Sequence, residues 1–102
     1  MAGFVQIIEY RTSKPEEVRA LTEQYRKDRE ADDDPTPTRA MACADRDEPG
    51  RYFTVVEFNS YEEAKKNSER PDTSEFAAKM AELCDGPTKF YNLDLEETMD
   101  MS

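Results

Sequence analysis

The stretch Arg51-Tyr-Phe-Thr-Val-Val-Glu-Phe58 contains the strongest strand signal in the sequence, because β-branched and aromatic residues dominate it. Successive side chains of a strand point to opposite faces of the sheet. Apolar side chains here fall on both parities: Tyr52, Val56 and Phe58 on one, Phe53 and Val55 on the other. We therefore predict a central strand in a sheet whose two faces are both apolar.

A second strand precedes this stretch. The intervening Asp47-Glu-Pro-Gly50 is a tight-turn sequence, so the two strands are predicted to form a β-hairpin. The second strand extends from Thr38 to Asp45, and its composition is unusual for a strand. Alanines occupy one parity, at positions 40, 42 and 44.

A helical region follows the central strand. Ser60-Tyr-Glu-Glu63 has the serine and glutamate spacing of a capping box, which predicts a helix to about Ser68. Pro71 interrupts that helix, and we expect Thr73 or Ser74 to cap a further segment. A Gly-Pro pair ends this segment.

The remaining segments complete the order β-α-β-β-α-β. Residues 4–11 and 89–95 have strand composition, and helical spacing predicts a helix from residue 15 to 30. Right-handed crossovers then give a ferredoxin-like α+β fold. In it, a four-stranded antiparallel sheet has the first and third strands at its centre and two helices on one face. We assign residues 1–95 to this single domain and residues 96–102 to a flexible tail.

Apolar residues on both faces of the central strands predict a homodimer. Two helices can cover only one face, and each large apolar side chain left wet on the other forgoes about 1.5–3 kcal/mol of burial. A patch of that size is seldom exposed on a monomer. We therefore expect two copies to pack sheet against sheet about a two-fold axis.

Net charge, the first ten residues and the two cysteines indicate which partners and which cellular location to expect. With 24 acidic and 14 basic residues the formal net charge is −10, so we expect neither a nucleic-acid nor a membrane partner. The first ten residues lack the basic region and unbroken apolar run of a signal peptide. Cys43 and Cys84 lack Cys-x-x-Cys spacing, which favours two small buried thiols over a disulfide. We therefore expect a cytoplasmic protein.

The sequence resembles a known superfamily. The element order, the Pro15-Glu-Glu helix opening and Phe76-Ala-Ala-Lys-Met-Ala-Glu-Leu83 before a Gly-Pro pair are similar to the dimeric α+β barrels. The chain is most similar to the antibiotic biosynthesis monooxygenase-like group, over about residues 3–95. The resemblance implies two sheets packed into a barrel, with a pocket between sheet and helices in each subunit. The group includes cofactor-independent quinone-forming monooxygenases, haem-degrading enzymes and muconolactone isomerases, so the activity stays open.

Missing residue types limit the chemistry. The chain has no histidine, which excludes a histidine-ligated haem, a histidine-containing zinc site and any Ser-His or Cys-His nucleophile. With three glycines, it offers no phosphate-cradling loop. It also lacks tryptophan, which several monooxygenases of the group carry in their pockets. We therefore expect no metal and no organic cofactor.

The candidate catalytic groups are polar residues set among apolar strand positions: Arg39, Asn92 and Glu57. Arg39 would hold an anionic or enolate oxygen, with Asn92 or Gln6 orienting it. Glu57, or Glu9 on the first strand, would abstract a proton if partial burial raised its pKa. The alternative is that Arg39 pairs with a carboxylate at a sheet edge while both glutamates are solvated or salt-bridged.

The candidate substrate-binding residues are those that would line a cavity between the sheet and the helices: Gln6, Tyr25, Phe53, Phe76, Met80 and Phe90. The alternative for each apolar member is plain core packing. The acidic run at 32–34 lacks the glycine and distal glutamate of a calcium loop, so we predict a solvated loop there.

Two functions remain open. The first is a cofactor-independent monooxygenase or isomerase that acts on an aromatic or polyketide-like molecule. The second is a non-enzymatic dimer that binds a small ligand passively or serves as an accessory protein. A cavity beneath the helices with at least two convergent polar groups would favour the enzyme, and one packed solid with side chains would exclude it.

Overall fold

The computed structural model describes residues 3–31 and 37–98, which form seven elements: the predicted β-α-β-β-α-β order, with the second helical region present as two helices. They are β1 (Gly3–Arg11), α1 (Pro15–Ala31), β2 (Arg39–Ala44), β3 (Arg51–Phe58), α2 (Tyr61–Ser68), α3 (Pro71–Leu83) and β4 (Lys89–Leu95). The acidic run at 32–34 lies outside the described residues, as does the predicted tail from residue 99. Residues 96–98 have no regular structure.

The four strands form one antiparallel sheet in the order β2-β3-β1-β4, which confirms the predicted arrangement with β1 and β3 at the centre. The hairpin register pairs Ala42 with Thr54 and Ala44 with Tyr52. Gly50 closes the hairpin turn with a φ of 90°, a conformation that glycine adopts without the steric cost of a Cβ. The predicted α+β ferredoxin-like fold is therefore present.

The second helical region is divided in two, as Pro71 requires. Ser60 caps α2, because its Oγ accepts a hydrogen bond from the Glu63 amide at 3.2 Å. The prediction that Thr73 or Ser74 caps α3 is wrong. That helix begins at Pro71, which suits the first turn because its missing N–H needs no partner there, and Arg70 occupies the N-cap.

All three helices pack on one face of the sheet. Phe4, Phe58 and Ala64 of α2 form one buried cluster. A second cluster joins Tyr10 to Val18 of α1 and Met80 of α3. The even-numbered residues of β1 and β3 therefore face the helices, and the odd-numbered residues form the opposite surface, which we call the open face.

No helix packs against the open face within the described part of the chain. By register it carries, among others, Val5 and Ile7 of β1, Phe53 and Val55 of β3, Met41 of β2 and Leu93 of β4. Met41 is 37% exposed and Leu93 45%. The expected two-sided apolar sheet is thus observed. None of the helices in the described ranges is both long and apolar enough to cross a membrane.

Candidate functional site: a cleft beneath the first helix

A cleft with a volume of about 370 Å³ lies between α1 and the β2–β3 hairpin. It is lined by Tyr10, Thr12, Pro15, Val18, Arg19, Thr22, Glu23, Ala42, Cys43, Ala44 and Tyr52. Ala42 and Ala44 are on the helix-facing side of β2, opposite Thr54 and Tyr52. Because alanine side chains are short, this corner of the sheet leaves space beneath α1 that larger residues would fill. Its volume is within the range of small-molecule sites.

Two tyrosines from the central strands form the inner part of the cleft. Tyr10 and Tyr52 are cross-strand partners, and their rings stack with centroids 5.6 Å apart at 19°. Tyr10 is only 6% exposed, and this burial raises the pKa of its phenol, an effect that a hydrogen bond with Thr54 partly opposes. Tyr10 is therefore a neutral phenol at physiological pH. Aromatic surfaces of this kind stack on planar rings.

The outer wall of the cleft is one side of α1. Val18 is buried against Tyr10, and the Thr22 hydroxyl donates to the Val18 carbonyl at 2.9 Å. Arg19 and Glu23 are exposed charged residues at the same wall. A hydrogen bond from Arg26 at 2.9 Å lowers the pKa of Glu23, so this carboxylate stays ionised and is a weak base.

The three predicted catalytic residues are not brought together. Arg39 and Glu57 lie on the open face, where Arg39 Nε donates to Glu57 Oε2 at 3.1 Å. Asn92 lies on the helix-facing side, where its Oδ1 accepts from Gln6 Nε2 at 3.0 Å. Side chains alternate along a strand, so one molecule bound to a single chain cannot contact all three. The Arg39–Glu57 pair has the geometry of the alternative interpretation, a salt bridge at the sheet edge.

The predicted proton acceptor on β1 is also in a different state from the one expected. Glu9 accepts hydrogen bonds from Tyr91 at 2.9 Å and from Arg51 at 3.1 Å. The bond from Tyr91 and then that from Arg51 lower the pKa of Glu9, whereas proton abstraction would require burial to raise it; the salt bridge with Arg51 is the alternative that the sequence left open. Glu9 is therefore held as a carboxylate on the open face and does not suit proton abstraction near neutral pH.

The predicted substrate-binding residues are distributed over the whole molecule. Tyr25 stacks on Phe76 at 4.4 Å between α1 and α3, and Met80 is buried in the core. Phe53 lies on the open face beneath the Arg51 guanidinium, at 4.9 Å. Phe90 shares the helix-facing side with Gln6 and is 51% exposed. None of the six lines the cleft, and their binding roles stay predictions.

Sequence reasoning missed the residues that do line the cleft. Tyr52 was predicted only as an apolar residue of the central strand, and neither Tyr10 nor Arg19 was among the candidate site residues. The available signal was the alternation of alanines along β2, which predicts a strand without bulk on its helix-facing side. It does not predict where α1 crosses the sheet, and that crossing determines whether the space becomes a cleft or is filled.

Solved structures share this fold at low sequence identity. SnoaB, a cofactor-independent oxygenase from Streptomyces nogalater, has a TM-score of 0.77 at 11% identity, over 96% of this chain and 96% of that chain. A proposed antibiotic biosynthesis monooxygenase from Nitrosomonas europaea has a TM-score of 0.73 at 16% identity, over 89% and 88% of the two chains. A conserved protein from Methanosarcina mazei Go1 has a TM-score of 0.78 at 12% identity, over 91% of this chain and 92% of that chain. This is the antibiotic biosynthesis monooxygenase-like fold.

The predicted resemblance is therefore confirmed at the level of fold. No protein-family model and no curated protein matches the sequence. Because the antibiotic biosynthesis monooxygenase-like fold is shared here at such low identity, it assigns no side-chain role by itself. The chemistry of the cleft has to be argued from the residues of this chain.

Proposed function

We propose that the cleft binds a small aromatic molecule and that the protein oxygenates it without a cofactor. The observation that supports this most is the stacked Tyr10–Tyr52 pair inside a cleft of about 370 Å³. Polar groups of Thr22, Arg19 and Glu23 border the same space. The structural similarity to SnoaB, a cofactor-independent oxygenase, agrees with this reaction class.

The reaction needs no external reductant because the substrate supplies the electrons. A methylene carbon beside an aromatic ketone loses a proton, and the carbanion transfers electrons to O₂ with formation of a C–O bond. The resulting peroxide anion takes up a proton to become a hydroperoxide. The carbon then loses its remaining proton, the O–O bond breaks, and hydroxide leaves with that proton as water. The carbon becomes a carbonyl, and the second oxygen atom leaves in the water.

The state of the cleft residues limits the substrate. Glu23 is a weak base because Arg26 lowers its pKa, so the substrate must itself be a strong carbon acid, as anthrone-like molecules are. Tyr10, held neutral by burial, provides an aromatic surface beside that substrate. The protein then positions the substrate and excludes water from one side of its ring, and the acidity of the substrate itself makes deprotonation possible.

The low basicity of Glu23 favours a second candidate function, passive binding of an aromatic ligand. Among the carboxylates of the described residues, the resolved pKa shifts, at Glu9, Glu23 and Asp72, are all downward. A protein that only carries or sequesters a ligand needs no general base. The two functions share the cleft and differ in whether bound ligand reacts with O₂.

We further propose that two copies associate through the open face. Its apolar residues, such as Val55, Ile7 and Leu93, would each forgo about 1.5–3 kcal/mol of burial if they stayed wet. A homodimer about a two-fold axis covers this surface with itself. In this arrangement the Arg39–Glu57 pair lies at the edge of the interface and holds the β2–β3 hairpin rather than a substrate. Both cysteines are free thiols, which supports the proposal of a cytoplasmic location, but neither is fully buried as predicted: Cys43 is exposed and Cys84 half-buried.

A ligand screen with oxygen measurement tests the proposed function. Thermal unfolding is recorded with anthrones, naphthoquinols and phenolic acids, and oxygen uptake is then measured with each stabilising compound. We expect stabilisation by at least one fused-ring compound and oxygen uptake above the uncatalysed rate. Stabilisation without uptake would assign the passive function, and no stabilisation by any aromatic would exclude the cleft as a binding site for this class.

A further inference from the structure

Within the described residues, the Arg19 side chain differs from most arginine side chains in having no hydrogen bond or ion pair. Arg11, Arg39 and Arg51 form ion pairs with glutamates, and Arg29 donates to Tyr25 and Asn67. Arg26 and Arg70 bind Glu23 and Asp72. Within residues 3–31 and 37–98, Arg19 and the turn residue Arg46 are the exceptions, since neither side chain has a hydrogen bond or ion pair there. Of these two, Arg19 borders the cleft.

The nearest acidic residue of the cleft is already engaged. Glu23, one helical turn beyond Arg19, binds Arg26 at 2.9 Å, and its lowered pKa reflects that bond. The charge of Arg19 at the rim therefore remains available to a ligand. In a chain with a net charge of −10, an anion is repelled from most of the surface and attracted to such a point.

We infer that the cleft selects an aromatic carboxylate, whose ring lies against Tyr10 and Tyr52 and whose carboxylate pairs with Arg19. This inference rests on the proposed aromatic site and goes beyond it in naming a charged group on the ligand. A guanidinium presents a planar fork of donors that matches a carboxylate in two parallel hydrogen bonds. The apolar floor of Ala42 and Ala44 offers no competing charge to the ring.

A pair of probes that differ only in charge tests this inference. The dissociation constants of a hydroxynaphthoic acid and of its methyl ester are measured by calorimetry at low salt. We expect the wild-type protein to prefer the acid by about tenfold, the scale of one accessible charge-assisted pair. We also expect added NaCl to weaken the binding of the acid and to leave the ester unchanged.

Two substitutions on α1 locate the source of the preference. Arg19→Gln is expected to remove the preference for the acid while the ester binds as before. Lys27→Gln removes the same charge from an exposed position that does not line the cleft, and we expect it to retain the preference. Circular dichroism of both variants checks that the helix is intact.

The possible results separate this inference from the proposed function. If acid and ester bind equally well, or if Arg19→Gln keeps the preference, the carboxylate assignment is wrong and the aromatic cleft still stands. If neither probe binds to the wild-type protein, the carboxylate assignment is overturned, and the aromatic cleft is overturned as well only if no compound of the ligand screen stabilises the protein.

Discussion

At the scale of single residues, the short side chains of Ala42 and Ala44 leave the space that forms the cleft. Ala40, two positions before Ala42 on the same side of the same strand, does not line the cleft. We expect Ala42→Leu to weaken binding of a fused-ring ligand at least about tenfold, because the added side chain occupies the space of the ligand. Calorimetry measures the dissociation constant.

Ala40→Leu is the matched control for this substitution. Both positions are exposed on β2, so each change is expected to alter the free energy of unfolding by less than about 1 kcal/mol. Equal binding by the wild type and the Ala42→Leu variant would place the ligand elsewhere.

A second residue-scale prediction concerns Glu9, whose pKa is lowered by hydrogen bonds from Tyr91 and Arg51. A carboxyl whose folded pKa is depressed stabilises the protein above its unfolded pKa and loses that contribution as the pH falls through the folded pKa. Tyr91→Phe removes one bond, so we expect the pKa of Glu9 to rise in a carboxyl-detected NMR titration. Acid unfolding should then begin at a higher pH.

Tyr61→Phe is the control for the loss of a phenol. Tyr61 is 56% exposed and packs edge-on against Phe4, away from Glu9. The pKa of Glu9 should stay unchanged in this variant. A Tyr91→Phe protein with an unaltered Glu9 titration would show that the hydrogen bond does not hold the carboxylate.

At the scale of elements, a partly buried polar network joins the helices. The Tyr25 hydroxyl lies 2.9 Å from Thr73 Oγ1 and accepts from Arg29 Nη1 at 2.7 Å, and Arg29 also donates to Asn67. Arg29 is 8% exposed, so the loss of a partner leaves a buried donor less satisfied. Residues from α1, α2 and α3 all take part, so Tyr25 helps to hold the three helices together.

We therefore expect Tyr25→Phe to lower the free energy of unfolding by about 1–3 kcal/mol in urea denaturation. The dissociation constant of a cleft ligand should be unchanged, because Tyr25 is not among the residues that line the cleft. A variant with normal stability and weakened binding would instead support the substrate-binding role predicted from the sequence.

The elements themselves were largely predictable, because their signals are local. The turn at 47–50, the cap at Ser60 and the break at Pro71 each act over a few residues, and all three features are present. The start of α3 was not predicted, because proline at the first helical position removes the need for a side-chain cap that Thr73 or Ser74 would supply.

The site was much less predictable, for reasons of geometry. Asn92 and Glu57 are both polar strand residues, but the register places them on opposite faces. Glu9 acquires its two hydrogen-bond donors from β3 and β4, far away in the sequence. The pairing of strands that are distant in sequence determines both the face on which each side chain lies and the donors that Glu9 meets. Composition and spacing report only on residues that are close in sequence.

At the scale of the whole molecule, the open face predicts association. Leu93→Lys places a charge on that face, and Asn92→Lys places the same charge on the opposite face of the same strand. If the open face is the interface, Leu93→Lys should give a particle of 11.8 kDa by light scattering at micromolar concentration. The wild type and the Asn92→Lys variant should have twice that mass. A wild-type protein of monomer mass would contradict the proposed dimer.

The central claim is that an aromatic ligand binds between α1 and the β2–β3 hairpin. Mapping of amide and methyl chemical-shift changes by NMR, during titration with a hydroxynaphthoic acid, tests it most directly. We expect the largest changes at Val18, Thr22, Ala42 and Ala44, which border the cleft. Changes confined to the Gln6–Asn92 pair or to the open face would contradict the assignment of this cleft as the functional site.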